Sequence, residues 1–174
     1  EKVNGDIFER HVAFKKKKLD FVLKKVLKKD LDKLRNYKLL KKNGIIEYPE
    51  YGFKELGVIC NKIKKLNGGV LFVDYGYNVE KNISTLQSVM KHKFNDISKN
   101  IGNADITSLV NFDLYKKYFN SQGLFVENII SQSKFLQRMG IVERAKIASK
   151  KMTYRDDFKR EVLSQMKHLR DDHH

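Results

Sequence analysis

Apolar residues recur along this chain in two rhythms. Leu19, Val22, Leu23, Val26, Leu27, Leu31 and Leu34 advance by three- and four-residue steps, which taken alone predicts the stripe of an amphipathic helix. Before it, Ile7–Phe14 alternates loosely and reads as a strand. The four lysines Lys15–Lys18 between them suit a turn or a helix's first turn, and Asn43-Gly44 is the expected stop. Ile45–Glu50 reads as a short extended piece, held out of helix by Pro49. Tyr51–Leu66 places Phe53, Leu56, Ile59, Cys60, Ile63 and Leu66 on one face of a helix, closed by Asn67-Gly68-Gly69.

The rhythm then breaks. Val70-Leu71-Phe72-Val73 is continuous and β-rich, the pattern of a strand buried on both faces, and it runs into Asp74-Tyr75-Gly76-Tyr77. A helix, a Gly-Gly break, a buried strand and an acid at the strand's C-terminal end make half of a βαβ unit. Open α/β sheets bind their ligands at that end of the strands. Residues 78–106 are polar and irregular, with one helical turn expected at Leu86–Met90 and a loop at Asn95–Asp105. Asn111 is a suitable N-cap for a helix over Phe112–Gln122, which Gly123 ends. Leu124–Ile129 is expected as a second buried strand. Ser131–Met139 predicts a helix ending at Gly140, and Ile141–Leu169 continues in helical pattern.

Composition narrows the class. A chain of 174 residues with 41% hydrophobic content suits one globular domain or the larger part of one, and excludes a disordered polymer. Cys60 stands alone, which excludes an internal disulfide framework and a multi-thiolate metal site and favours a reducing compartment. No apolar run approaches the ~20 residues of a membrane span, and no signal-peptide pattern opens the chain. A soluble, intracellular protein is the expectation.

The formal net charge is +15, and residues 15–42 carry thirteen Lys/Arg against three Asp. Such a stretch could serve RNA or an acidic partner. Lysine dominates arginine along the whole chain, however, which favours a solvated basic surface over a dedicated polyanion site.

Chemistry is sparse. No G-x-G-x-x-G, P-loop, H-E-x-x-H or G-x-S-x-G occurs, and the five histidines are scattered. Asp74 could bond nearby backbone N–H groups or orient a substrate cation, and Tyr75 could wall a site or pack in a core. Cys60 reads as packing on an apolar helix face.

Several ordered segments carry a family resemblance: Gly68-Gly69 followed by Asp74-Tyr75-Gly76; Thr85-Leu86-Gln87; His92 with Asp96; Ala104-Asp105-Ile106-Thr107; Val110-Asn111-Phe112; and Gln132, Phe135-Leu136 and Gly140-Ile141. In this order they resemble the C-terminal half of the MidA family. These are S-adenosylmethionine-dependent methyltransferases related to the mitochondrial arginine methyltransferase that assists respiratory complex I assembly. Glu9-Arg10 and Val12 are similar to the family's W-x-E-R-x-V strand, so the resemblance covers most of residues 7–145. Tyr77 stands where the family usually has His, and Asn111 where it has Asp.

The resemblance implies an α/β fold: the C-terminal part of a Rossmann-like methyltransferase sheet, with a β-hairpin insertion and C-terminal helices. Residues 1–174 would form a single partial domain, the cofactor-binding N-terminal half lying elsewhere. It also replaces the helix from Leu19 with a hairpin, Ile7–Phe14 against Leu19–Leu23, followed by a helix from about Val26. Asp74, Tyr75, His92 and Asp96 become candidate catalytic residues, Asp74 as holder of an arginine guanidinium. Asp105 and Thr107 are expected in a local capping or Asx-type turn. S-adenosylmethionine would bind the other half, with no cofactor residue and no metal site in this chain. The implied partners are a protein substrate, such as an NADH dehydrogenase subunit, and the N-terminal half. The implied compartment is a bacterial cytoplasm or, second, the mitochondrial matrix. Two rivals remain: a basic module for RNA or an acidic partner, and a non-catalytic scaffold for a separately encoded cofactor half.

Overall fold

The alternation of Ile7–Phe14 becomes a long antiparallel ladder. In the computed structural model, which describes residues 1–15, 18–79, 82–151 and 164, β1 (Lys2–Val3), β2 (Asp6–Lys15) and β3 (Lys18–Lys25) form one sheet in that order. The β2–β3 register runs from Phe8↔Lys25 through Phe14↔Leu19 to Lys15↔Lys18. The three-and-four spacing from Leu19 is thus overridden by the partner strand, and the hairpin implied by the resemblance is the one that forms.

Helix α1 is short, Lys28–Asn36. It ends well before the expected Asn43-Gly44 stop because Lys38 takes a left-handed φ of 56°. The Leu39 N–H then donates to the Leu34 carbonyl and the Lys38 N–H to that of Arg35, a paired closure that satisfies the last carbonyls. Helix α2 (Glu50–Leu66) matches expectation and closes at left-handed Asn67.

Two expected strands do not form. Val70–Val73 belongs to no strand, and its side chains are all exposed rather than buried. Leu124–Ile129 likewise carries no strand. Its Leu124 and Val126 lean on the core while Phe125 faces outward, so it shows alternation where two-faced burial was expected. The physical reason is shared. A two-faced apolar strand needs ladder partners at its edges and a covering layer on each side, and no strand among the described residues pairs with either run. The Phe72 ring alone finds a layer, stacking on Phe119 at 5.6 Å.

The converse holds for residues 78–106, expected to be irregular. They contain β5 (Gln87–Met90) and β6 (Lys93–Asn95), and β7 (Asp105–Thr107) completes a three-stranded sheet of order β6-β5-β7. Lys91 and His92 form the two-residue turn with φ of 49° and 60°, a conformation usually signalled by Asn-Gly. Preceding this sheet, β4 (Gly76–Tyr77) pairs in parallel with β8 (Val110–Asn111). Helix α3 (Phe112–Ser121) follows β8, its N-cap being Asn111 as expected.

The chain divides into two compact units, Glu1–Glu127 and Asn128–His174. The core of the first lies between α2 and α3. Phe53 stacks on Tyr118 at 4.1 Å and meets Tyr48 and Tyr115 edge-on, with Leu39, Cys60, Leu114 and Phe119 buried around them. The second unit holds α4 (Gln132–Arg138), capped by Ser131, and α5 (Ile141–Lys151). Of the expected continuation of α5 beyond Lys151 only Ser164 is among the described residues, and it is helical.

Cys60 has no exposed surface, and burial pushes its thiol above the ordinary range. Iodoacetamide at neutral pH should therefore leave the native chain unlabelled and modify it fully in urea. Rapid labelling without denaturant would mean that α2 and α3 separate in the native state.

Candidate functional site

The Val70–Val73 run leads into Asp74, two residues before β4. One Asp74 carboxylate oxygen accepts the Tyr75 N–H at 2.7 Å, the local turn contact that an acid makes when it caps its own chain. The other makes no hydrogen bond among the described residues. The carboxylate nevertheless acts at a distance: burial first, and the Asp74 charge second, raise the pKa of the Tyr115 phenol. Tyr75 is 85% exposed, so its ring is available to a ligand rather than used in the core. Gly76 has a packing reason beyond the turn out of the run. A side chain there would strike the Val110 carbonyl and come within 2.6 Å of the Phe112 ring, so the parallel pairing of β4 with β8 admits only glycine.

Beneath this point lies a polar cluster. Glu47 accepts the Thr85 N–H at 2.7 Å and the Thr85 hydroxyl at 2.6 Å, and the Thr85 oxygen accepts the Leu109 N–H at 2.9 Å. Tyr77 is buried; burial and then the Glu47 charge push its phenol up, opposed by a hydrogen bond with the Asn111 side chain. The Asn111 Oδ1 also accepts the Leu114 N–H, capping α3. The two positions that depart from the family pattern, Tyr77 and Asn111, are therefore neighbours in contact. With its pKa raised, Tyr77 keeps its proton at neutral pH and can donate a hydrogen bond but not act as a base. Thr85, Tyr77 and Asn111 were visible as motif positions. Glu47 was not, since nothing local marks an acid in Ile45–Glu50 as the partner of a threonine far along the chain.

His92 and Asp96 are not joined. His92 is exposed at the β5–β6 turn and makes no hydrogen bond or ion pair among the described residues. The Asp96 carboxylate accepts the Ser98 N–H at 2.9 Å and hydroxyl at 2.7 Å, which holds it below the usual carboxylate range. Asp105 and Thr107 sit exposed in β7 instead of capping a turn, because the ladder with β5 takes this segment. Gln132 is in the first turn of α4, and Phe135 and Leu136 are half-buried.

The basic stretch is partly neutralised. Lys33 bonds both Asp30 and Glu50 at 2.9 Å, which raises the pKa of the lysine and lowers those of both acids, and Arg35 pairs with Asp32 at 3.2 Å. Lys24, Lys25, Lys28 and Lys29 remain exposed.

At Gly68 and Gly69, which enter the Val70–Val73 run, an added Cβ would meet no atom within 4 Å.

Comparison with known proteins supplies the context. Residues 1–130 match a family model described as "Putative S-adenosyl-L-methionine-dependent methyltransferase". Over 93 residues, 53% of this chain, it is 30% identical to "Protein arginine methyltransferase NDUFAF7, mitochondrial" of Xenopus tropicalis. Over 87 residues it is 31% identical to "Protein arginine methyltransferase NDUFAF7 homolog, mitochondrial" of Drosophila melanogaster. The aligned stretches span 21% and 20% of those relatives' own lengths.

Proposed function

The chain belongs to that S-adenosyl-L-methionine-dependent methyltransferase family, and from this premise we propose that it is the acceptor-side, C-terminal portion of a protein arginine methyltransferase. The observation that carries the reading is the family match over residues 1–130, within which the motifs from Glu9-Arg10 to Val110-Asn111-Phe112 fall in order. The cofactor belongs to another half, which bears the glycine-rich loop. In the assembled enzyme, Val70–Val73 and Leu124–Ile129 are strands of a Rossmann-like sheet whose neighbours come from that half. The exposed side chains of Val70–Val73 and of Phe125 support this, since such apolar positions gain a ladder and covering layers inside a parallel sheet.

Methyl transfer to nitrogen requires the acceptor to be held in line with the donor and relieved of a proton. The Asp74 carboxylate, with one oxygen engaged by the Tyr75 N–H and one open, is placed to hold a guanidinium by a charge-assisted bond. The exposed Tyr75 ring is a wall for the same group. His92 and Asp96 are the other candidate catalytic residues, acting separately because Asp96 is engaged by Ser98. The substrate is a protein, an NADH dehydrogenase subunit in a role in complex I assembly. The relatives' mitochondrial names favour the mitochondrial matrix over a bacterial cytoplasm. No helix among the described residues is long and apolar enough to cross a membrane.

Calorimetry of this chain with S-adenosylmethionine should show no binding heat. Joined to the cofactor-binding half, it should transfer labelled methyl groups to mitochondrial extract proteins, recovered after hydrolysis as methylarginine. Stoichiometric cofactor binding by the chain alone would relocate the cofactor site. Label on an amino acid other than arginine would reject the arginine assignment.

A further inference from the structure

The β2–β3 hairpin has two unlike faces. Its register sets Arg10 opposite Leu23, Val12 opposite Phe21 and Phe14 opposite Leu19, so by the two-residue alternation of strands these six side chains share one face. On that face Val12 and Phe14 are 64% and 71% exposed, and Phe21 and Leu23 are 41% and 48% exposed. The Arg10 guanidinium lies 5.2 Å from the Phe21 ring centre. The other face carries Glu9, His11, Asp20 and Lys24 beside the half-buried Ile7, Ala13 and Val22, with Glu9 and His11 paired at 3.0 Å. Residues 6–25 contain seven Lys/Arg against three Asp/Glu, four of the lysines consecutive where β2 gives way to β3. The result is an amphipathic hairpin with an uncovered apolar face bordered by cations.

Charge selects among the occupants such a face could have. A second copy would bring one lysine-rich border against another, which repels. A protein adding a strand would meet β3, which holds Lys18, Lys24 and Lys25 within eight residues, and lysines on an edge strand discourage new neighbours. An anionic bilayer complements both features. Apolar side chains enter the boundary between headgroups and acyl chains, while lysines meet the negative headgroups. We propose that the β2–β3 hairpin docks this protein on an anionic membrane surface, with Val12, Phe14, Phe21 and Leu23 entering the interface. This surface is separate from Asp74, and the proposal is independent of the methyl-transfer reading.

The test is cosedimentation of the full chain with vesicles of phosphatidylcholine alone and of phosphatidylcholine mixed with phosphatidylserine. Partitioning should be ~10-fold or more greater with the serine lipid, and should weaken as salt rises. Val12→Ser combined with Phe14→Ser should lower it by ~10-fold or more, the scale of two apolar side chains losing their burial. Because both are exposed, melting and circular dichroism should not change. Serine at Lys15–Lys18 should abolish the preference for the anionic lipid, again with little change in stability. The chain has no tryptophan, so Phe14→Trp makes a unique reporter whose emission should shift to the blue on serine-lipid vesicles. Equal sedimentation with both lipids, or sedimentation without the emission shift, would overturn the proposal. Recovery in the supernatant with both mixtures would also overturn it, and would leave the face to an acidic protein partner.

Discussion

In the assembled enzyme, Asp74→Asn is expected to lower methyl transfer by ~10² or more, the loss that follows removal of a positioned charge from a reacting site. The substitution is close to isosteric, and the amide oxygen can still accept the Tyr75 N–H that Asp74 accepts at 2.7 Å. The fold should therefore survive. What disappears is the negative charge available to a guanidinium. Cofactor affinity should change little, because the adenosyl group would be bound by the other half, so calorimetry on the variant separates the two effects. Tyr115 offers a second readout, since part of its raised pKa comes from the Asp74 charge and should fall when that charge is removed. Undiminished turnover would reduce Asp74 to a turn cap. A variant that does not fold would make the carboxylate structural and move the catalytic assignment to His92 and Asp96.

Phe53→Ala should destabilise the first unit by about 3–5 kcal/mol, the range for emptying an aromatic site in a packed core. Phe53 is 5% exposed. Its ring stacks on Tyr118, is met edge-on by Tyr48 and Tyr115 and lies 6.1 Å from the tilted Tyr37 ring, so its removal takes a ring contact from four tyrosines. The Tyr118 hydroxyl donates to the Phe53 carbonyl, a bond the substitution keeps. The loss therefore reports on side-chain packing rather than on the backbone. Against a typical total of about 5–15 kcal/mol, it should bring the urea midpoint down steeply. Tyr51→Ala is the matched control: Tyr51 is 82% exposed on the same helix, and its removal should stay within about 0.5 kcal/mol. If the two variants melted alike, the aromatic layer between α2 and α3 would not be the core of this unit.

Local signals were legible wherever a segment satisfies its own backbone. Helix α2 has an uninterrupted apolar stripe and closes at Asn67; α3 begins at the Asn111 cap and stops by Gly123, whose φ is 74°. Helices bond within themselves, so spacing and caps suffice to place them. The end of α1 was misplaced because a lysine, not a glycine, takes the left-handed position there. The β5–β6 turn was missed for the same reason, with Lys91-His92 standing where Asn-Gly would have announced it. The Leu19 region shows the opposite failure, a helical spacing overruled by pairing with Ile7–Phe14.

The sequence by itself determined the helices of the core, the aromatic content that fills it, the basic balance of the chain and the order of motifs that marks its methyltransferase family. Beyond the β2–β3 hairpin, tertiary structure decided the strands and the contacts of the site. Backbone groups of a strand are satisfied by another segment, and no local pattern states whether that segment is at hand. Val70–Val73 has the composition of a buried strand yet stays exposed, while the polar residues 87–95 form a hairpin because each half is the other's partner. The same reason governs the site residues. Glu47 meets Thr85, and Tyr77 meets Asn111, across gaps that only the folded chain closes, whereas His92 and Asp96, neighbours in sequence, are not joined.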